Sequence, residues 1–286
     1  MSGAALARPR GAEFAFDARD HQAISRLAYD EAGIVLPQGK AQLVYGRLVR
    51  RGRACGVASF ADYVALLDTD RAERARAVDA LTTNNTSFYR EAHHFEHFMG
   101  HVWPKLEARL AAKGRVRLWS AACSSGEEPY TLLTAILGKD RAAAQRLAAR
   151  DFRLLATDLS TEILAAARDG RYSIETVQTV PADLRSAWFD RTAEGGQVKA
   201  EVRRLATFRQ LNLLKDWPMR QPFDAIFCRN VMIYFDETTK ARLQSRLADQ
   251  LAPGGFLYIG HSERLAPDVA PRFTCLGRTI FQKVTA

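Results

Sequence analysis

Two hydrophobic periodicities divide the chain. Up to about Thr83, apolar positions recur at helical spacing. DHQAISRLAYDEAG carries that spacing to a stop at Gly33. GKAQLVYGRLVRRGRACG, ASFADYVALLDTD and DRAERARAVDALTT repeat it, the last two starting after the capping residues Ser59 and Asp70. The pattern predicts an all-helical domain over residues 15–83, preceded by a flexible tail, 1–14. NNTSFYR, Asn84 to Arg90, interrupts it: adjacent asparagines and a threonine favour a turn, so 84–90 reads as a linker. EAHHFEHFMGHVWPKLEARLAAKG then returns to helix and ends at Gly114.

Beyond Gly114, short apolar runs alternate with amphipathic ones. RVRLWSAAC, FRLLATDLS, the start of FDAIFCRNVMIYF and GFLYIGHSE read as strands. EEPYTLLTAILG, STEILAAARDG and DETTKARLQSRLADQLAPGG read as helices, the second capped by Ser160 and the third capped by Asp236 and stopped at Pro253-Gly254-Gly255. FTCLGRTIFQKV predicts a final antiparallel pair. Alternating β and α units imply an α/β domain over 91–286 with a mostly parallel sheet covered on both faces, and ligands outside the carboxyl ends of its strands. Residues 171–208 break the alternation. EGGQVKAEVRRLATFRQL alternates around Gly195-Gly196, which suggests a hairpin in a small inserted antiparallel lobe.

Composition narrows the classes. The apolar runs are shorter than a membrane span, and the N-terminus has no continuous apolar segment followed by a cleavage site. Four scattered cysteines without a CxxC pair form neither a zinc pattern nor a disulfide framework, so the expected compartment is the reducing cytoplasm. The net charge of +9 calls for an acidic partner: nucleic acid, anionic lipid or an acidic protein surface.

The strand ends carry the candidate chemistry. SAACSSGEEP has the strand–turn–helix form of a phosphate cradle, yet places Glu127 and Glu128 at the helix mouth, where they would repel phosphate. One glutamate there is ordinary helix-end chemistry, which suits Glu128. Glu127 points to a ligand bearing an ammonium. Asp158, ending ATD, is placed to accept ribose hydroxyls, since Ser160 already serves as the cap. Asn212 and Leu213 in QLNLL could take an adenine edge and face. Arg229, Asn230 and Tyr234 are polar positions in the apolar run CRNVMIYF. A nucleoside with a cationic tail and no phosphate fits S-adenosylmethionine; NAD fits poorly, because GxGxxG is absent.

NNTSFYREAHHF, SAACSSGEEPY, ATDLS, NLL, FDAIFCRNVMIYFD and APGGFLYIGHSE together resemble the CheR-type chemotaxis receptor methyltransferases. The resemblance runs from about Leu81 to His261, and in spacing over nearly the whole chain. It implies an N-terminal all-helical domain, a Rossmann-like S-adenosylmethionine-dependent methyltransferase sheet and an inserted antiparallel β-subdomain. It also implies a protein-glutamate O-methyltransferase that forms glutamate methyl esters on methyl-accepting chemotaxis receptors, with S-adenosylhomocysteine as product. Carried over by position, it assigns cofactor contacts to Asn84, Thr86, Arg90, Glu127, Asp158, Asn212, Leu213, Arg229 and Asn230. Two departures are mild: Phe88 and Tyr89 stand before the arginine, and Cys123, Ser124 and Ser125 stand where the family turn often has Ala or Thr. DRTAEGGQVKAE is shorter than in members whose β-subdomain grips a receptor C-terminal pentapeptide, so no such tether is expected.

The chemistry needs no general base, because a substrate glutamate is ionised near neutrality. The protein must desolvate and align carboxylate and methyl donor. Arg90 can organise the carboxylate through its guanidinium, and the neutral Tyr234 hydroxyl can position it; both are assigned catalytic roles. Lys40, Arg47, Arg50 and Arg51 cluster on one side of the second helix, opposite Val44, Tyr45, Leu48 and Val49, without i,i+4 acids. An acidic receptor helix is the expected docking partner, with no nucleic acid, no membrane insertion and a monomeric enzyme. His93, His94, His97 and His101 lie at near-helical spacing but read as packed or solvated, and no metal is expected. Cys123 and Cys228 read as small packing residues. The alternatives are a nucleic-acid methyltransferase, which would lack an Asn-Pro-Pro-aromatic motif, and a non-enzymatic S-adenosylmethionine sensor.

Overall fold

The computed structural model describes residues 14–82 and 84–285; the expected tail, apart from Phe14, lies outside the described residues. The chain divides into two compact units, 1–83 with 234–236, and 84–233 with 237–286.

In the first unit, α1 (Ala18–Ala32), α2 (Ala41–Ala54), α3 (Phe60–Thr69) and α4 (Arg71–Leu81) follow the predicted helices. Asp17 and Asp20 close a capping box at the start of α1, and Gly33 ends it at φ 67°, where a Cβ would be strained. Ser59 and Asp70 cap α3 and α4. The four helices bury Ile24, Val44, Leu48, Phe60, Tyr63 and Leu67.

In the second unit, α5 (His93–His97), a π-helical turn (98–102) and α6 (Trp103–Ala111) replace the single helix expected up to Gly114. Pro104 has no N–H to continue the α-helical ladder, and the wide turn lies directly before the segment that contains it. Next come β1 (Val116–Ala121), α7 (Glu127–Leu137), α8 (Ala143–Ala148), β2 (Phe152–Asp158) and α9 (Thr161–Asp169). The lobe follows: β3 (Arg171–Ser173), α10 (Ile174–Gln178), α11 (Ala182–Trp188), β4 (Phe189–Thr192), β5 (Gly195–Val198) and α12 (Ala200–Arg203). The chain finishes with β6 (Ala206–Gln210), β7 (Phe223–Cys228), α13 (Glu237–Gln250), β8 (Leu251–Ile259), β9 (Phe273–Gly277) and β10 (Ile280–Lys283).

The main sheet has the order β6-β2-β1-β7-β8-β10-β9. β6, β2, β1, β7 and β8 are parallel, and β10 is antiparallel to both β8 and β9. The chain leaves β1 towards β2 and β6, then returns to β1's other side with β7. The switch point therefore lies at β1, and the crevice rule directs attention to the carboxyl ends of β1, β2 and β7.

Three sequence readings shift. The hairpin turn is Ala193–Glu194, and Gly195-Gly196 lie inside β5. A Cβ on Gly195 would stand 2.2 Å from the Tyr172 carbonyl oxygen, so the glycine allows close strand approach rather than making the turn. β6 belongs to the main sheet, paired with β2, so a lobe boundary at 208 runs into that edge strand. α13 ends at Gln250, and Leu251 pairs with Phe223. The Pro253-Gly254-Gly255 segment bulges out before Phe256 pairs with Ala225.

Candidate active site

β1 delivers the chain into a turn with an unusual backbone. Ala122, Ser124 and Gly126 have φ of 60°, 50° and 96°; Tyr89, Glu91 and Asn230 are also left-handed, at 56°, 55° and 58°. Such conformations cost non-glycine residues on the order of 1–3 kcal/mol each and cluster where surrounding structure enforces a function. At Gly126 a Cβ would also crowd the Tyr172 hydroxyl (3.0 Å) and Ala167 (3.1 Å), so the SSG turn needs its glycine for space as well as for φ.

This turn gathers several of the sequence-derived residues. The Ser124 N–H donates to Asp158 Oδ2 at 2.8 Å and its hydroxyl to the Asn84 carbonyl at 3.2 Å. Asp158 Oδ1 accepts the Ser160 N–H at 3.1 Å. Glu127, at the first position of α7, is 5 % exposed, and its Oε2 accepts the Ser125 hydroxyl at 2.7 Å. Burial raises the Glu127 carboxyl's pKa against that bond, and burial likewise raises Asp158 against its backbone N–H bonds. Each carboxylate is thus held where its charge is costly, and a cation or polarised hydroxyl would relieve that cost. At the end of β6, the Leu211 N–H donates to the Asp158 carbonyl at 2.9 Å, which fixes the start of the Asn212–Leu213 turn; Asn212 Oδ1 accepts the Leu214 N–H at 2.9 Å.

The second group forms around Arg229, at the end of β7. Arg229 is 7 % exposed. Its Nη1 donates to Glu128 Oε2 at 2.9 Å, and its Nη2 donates to the Arg90 carbonyl and lies 3.4 Å from Glu91 Oε2. Its buried Nε makes no hydrogen bond to the described residues. Glu128 also accepts the Ser120 hydroxyl at 2.7 Å, so besides standing in the first turn of α7 it is the counter-charge of Arg229. Asn230 Nδ2 donates to Glu91 Oε1 at 3.2 Å. The expected direct cofactor contacts of Arg229 and Asn230 therefore stand beside bonds that run to protein groups. These hold Glu128, Glu91 and the backbone of Arg90, whose own Nη1 donates to the Asn85 carbonyl at 2.9 Å. Residues 84–90 belong to the second unit as part of this framework, and Thr86 is half-buried within it. Tyr234 groups instead with the helical unit, where its carbonyl accepts the Val35 N–H at 2.9 Å.

Two carboxylates escaped the sequence reading. Burial pushes Glu91 up, but the Arg229 charge and the bonds from Asn230 and His261 outweigh it and hold its pKa at about 2. Glu263 is buried and accepts the backbone N–H groups of Gly260 (2.6 Å), Met232 (2.8 Å) and Asn230 (3.2 Å), pinning the strained turn after β7. Their available signals were the Arg-Glu pair in SFYRE and the acid closing GHSE. The histidines have protein partners: His94 Nε2 meets the Thr279 hydroxyl at 3.0 Å, and His97 Nδ1 meets the Tyr258 hydroxyl at 3.0 Å.

Residues 84–281 match the family description "CheR methyltransferase, SAM binding domain", and residues 19–82 match "CheR methyltransferase, all-alpha domain". The chain belongs to the CheR methyltransferase family. It is similar to a probable chemotaxis protein methyltransferase of Rhizobium etli, with 43 % identity over 91 % of this chain and 97 % of that one. It is also similar to chemotaxis protein methyltransferase 2 of Pseudomonas aeruginosa (41 %; 88 % and 88 %) and to the chemotaxis protein methyltransferase of Escherichia coli K12 (39 %; 90 % and 88 %). Among solved structures, the glycopeptide N-methyltransferase MtfA complexed with S-adenosylmethionine aligns at a TM-score of 0.30 and 20 % identity, over 54 % of this chain and 48 % of that one. Membership makes this CheR-family chain an S-adenosylmethionine-dependent methyltransferase, and its sheet and separate antiparallel lobe have the family's architecture. No helix among the described residues is long and apolar enough to cross a membrane.

Proposed function

We propose that this CheR-family enzyme methylates glutamate side chains on the cytoplasmic helices of methyl-accepting chemotaxis receptors, forming methyl esters. The buried, costly carboxylate of Glu127 beside the SSG turn carries the reading, because it suits the ammonium of a methionine tail. Asp158 takes the ribose hydroxyls, and Asn212 and Leu213 take the adenine. When bound, S-adenosylmethionine supplies an electrophilic methyl group.

Asn84 and Thr86 line the cofactor, and Arg90 orients the incoming carboxylate. Tyr234 positions that carboxylate without quenching its nucleophilicity. Arg229 and Asn230 act close to the cofactor by holding the acids and the backbone around it. Lys40, just before α2, and Arg50 on α2 are both exposed and attract the acidic receptor helix in the cytoplasm. β4 and β5 are joined by Ala193 and Glu194 alone, which supports a lobe that grips no C-terminal tether.

The test is incubation with methyl-labelled S-adenosylmethionine and a receptor cytoplasmic fragment. Label released as methanol by base, with mass spectrometry placing a 14-Da increment on glutamate (one methylene, about 14 Da), is the expected result. Base-stable label, or label entering added RNA instead, would overturn the proposal.

A further inference from the structure

Far in character from the acidic cofactor turn, four arginines converge on one cavity of the second unit. Arg168 at the end of α9, Arg203 and Arg204 at the end of α12, and Arg209 in β6 line a space of about 470 Å³ with Thr207 and Phe208. No acid lines it. Among the described residues, none of the four forms an ion pair. The nearby Asp169 carboxylate is engaged by Arg171 (3.1 Å) and by the Gln197 amide (3.1 Å).

Three of the four guanidinium groups are anchored, not neutralised. Arg168 Nη2 and Arg209 Nη1 donate to the Phe208 carbonyl at 3.2 and 2.9 Å. Arg203 Nη1 donates to the carbonyls of Arg168 and Asp169, both at 3.3 Å. These bonds use a terminal nitrogen and leave the remaining fork of each guanidinium available. The Nε of Arg203 is buried and makes no hydrogen bond to the described residues. An ordinary solvated face mixes signs and is convex. Here four like charges line one open depression, and a bound anion would offset their mutual repulsion.

We infer that this cavity is a second ligand site, for a compact anion carrying several phosphate groups. Planar guanidinium forks match phosphate oxygens bidentately, and the volume lies within the usual range for small-ligand pockets. An added β-strand is disfavoured, because the Phe208 carbonyl on the open edge of β6 is already taken by Arg168 and Arg209. The site is distinct from the cofactor turn, whose Glu127 and Asp158 would repel the same anion.

Calorimetry of the full chain, saturated with S-adenosylhomocysteine and in about 150 mM chloride, tests this with inorganic triphosphate and with ATP. Binding of either at one site is expected, weakened at least about tenfold by the pair Arg204→Ser and Arg209→Ser. Thermal unfolding of that variant should stay unchanged, since both side chains are exposed. Tighter binding of ATP would identify a nucleotide ligand, and equal binding a phosphate group alone. No binding of either at about 1 mM, binding undiminished in the variant, or binding of an oligoglutamate peptide in place of the phosphates would overturn the inference.

Discussion

Glu127 and Glu128 are neighbours at one helix end, yet their surroundings give them opposite tasks. Glu128 faces the buried guanidinium of Arg229, whereas Glu127 receives the Ser125 hydroxyl and, among the described residues, forms no ion pair. Burial raises the Glu127 pKa, so in the free enzyme its protonated form is favoured more than usual. A cationic tail binds the ionised form, so cofactor affinity should fall as pH drops through that raised pKa. Glu127→Gln should weaken S-adenosylhomocysteine binding by about 10- to 100-fold and flatten the pH dependence of the affinity; a calorimetric titration at several pH values reads both. Arg229→Met should behave differently. It strips the counter-charge from two largely buried acids and should cost on the order of 3 kcal/mol of unfolding free energy, with or without ligand. Selective loss of ligand affinity at unchanged stability would show that Arg229 serves the cofactor alone. The sequence identified both residues, but spacing reports which side chains share a strand end. It does not report whether their bonds run to a ligand or to Glu128 and Glu91.

Helix α2 shows the same limit over a whole element. Its apolar face was legible, since Val44, Tyr45, Leu48 and Val49 are all buried. Its cationic face reads as one unit in the sequence because no acid stands four residues away. In the structure, Arg51 Nε donates at 2.9 Å to Glu73 of α4, and Arg47 Nη1 donates to the carbonyls of Leu81 (2.6 Å) and Thr82 (3.0 Å). A stripe of cations on a helical wheel does not reveal a partner supplied by another helix. Burial pushes Glu73 up, but Arg51 and the Tyr63 hydroxyl outweigh it and hold its pKa below the usual range. Arg51→Ala should therefore destabilise the helical unit by about 2 kcal/mol, lowering its thermal midpoint. Arg50→Glu, on an exposed side chain, should leave that midpoint within about 2 °C and instead slow methylation of an acidic receptor fragment. Equal effects of the two substitutions on stability would contradict this division. The lobe hairpin is only partly legible: the alternating stretch contains β5 but not β4, its Ala200–Arg203 segment is the helix α12, and Gly195 reads as the turn because a glycine serves close strand approach as readily as a reversal.

At the scale of the whole chain, a net charge of +9 means that acidification adds charge of the sign already in excess, and the buried His94 adds a local penalty. His94 is fully buried against the Thr279 hydroxyl, and burial, reinforced by the Arg229 charge, lowers its pKa to about 3. In the unfolded chain it titrates near 6.5. Between those values the unfolded state binds the extra proton, so stability is complete above about pH 6.5 and declines as pH falls towards 3. Glu91, held at about 2, adds its own loss only below its ordinary value of 4.5. A comparison at about pH 7.5 and pH 5 therefore isolates the histidine from Glu91. Chemical unfolding should show the native chain losing about 2 kcal/mol more between these two pH values than His94→Gln. Glutamine keeps a hydrogen-bonding end but takes up no proton. At the higher pH the variant should be weaker by about 1 kcal/mol, the cost of an altered bond to Thr279. The buried acids Glu127, Asp158 and Glu263 titrate alike in both proteins, so their contribution cancels in the difference. An equal pH response in the two proteins would mean that His94 is not held neutral by its burial.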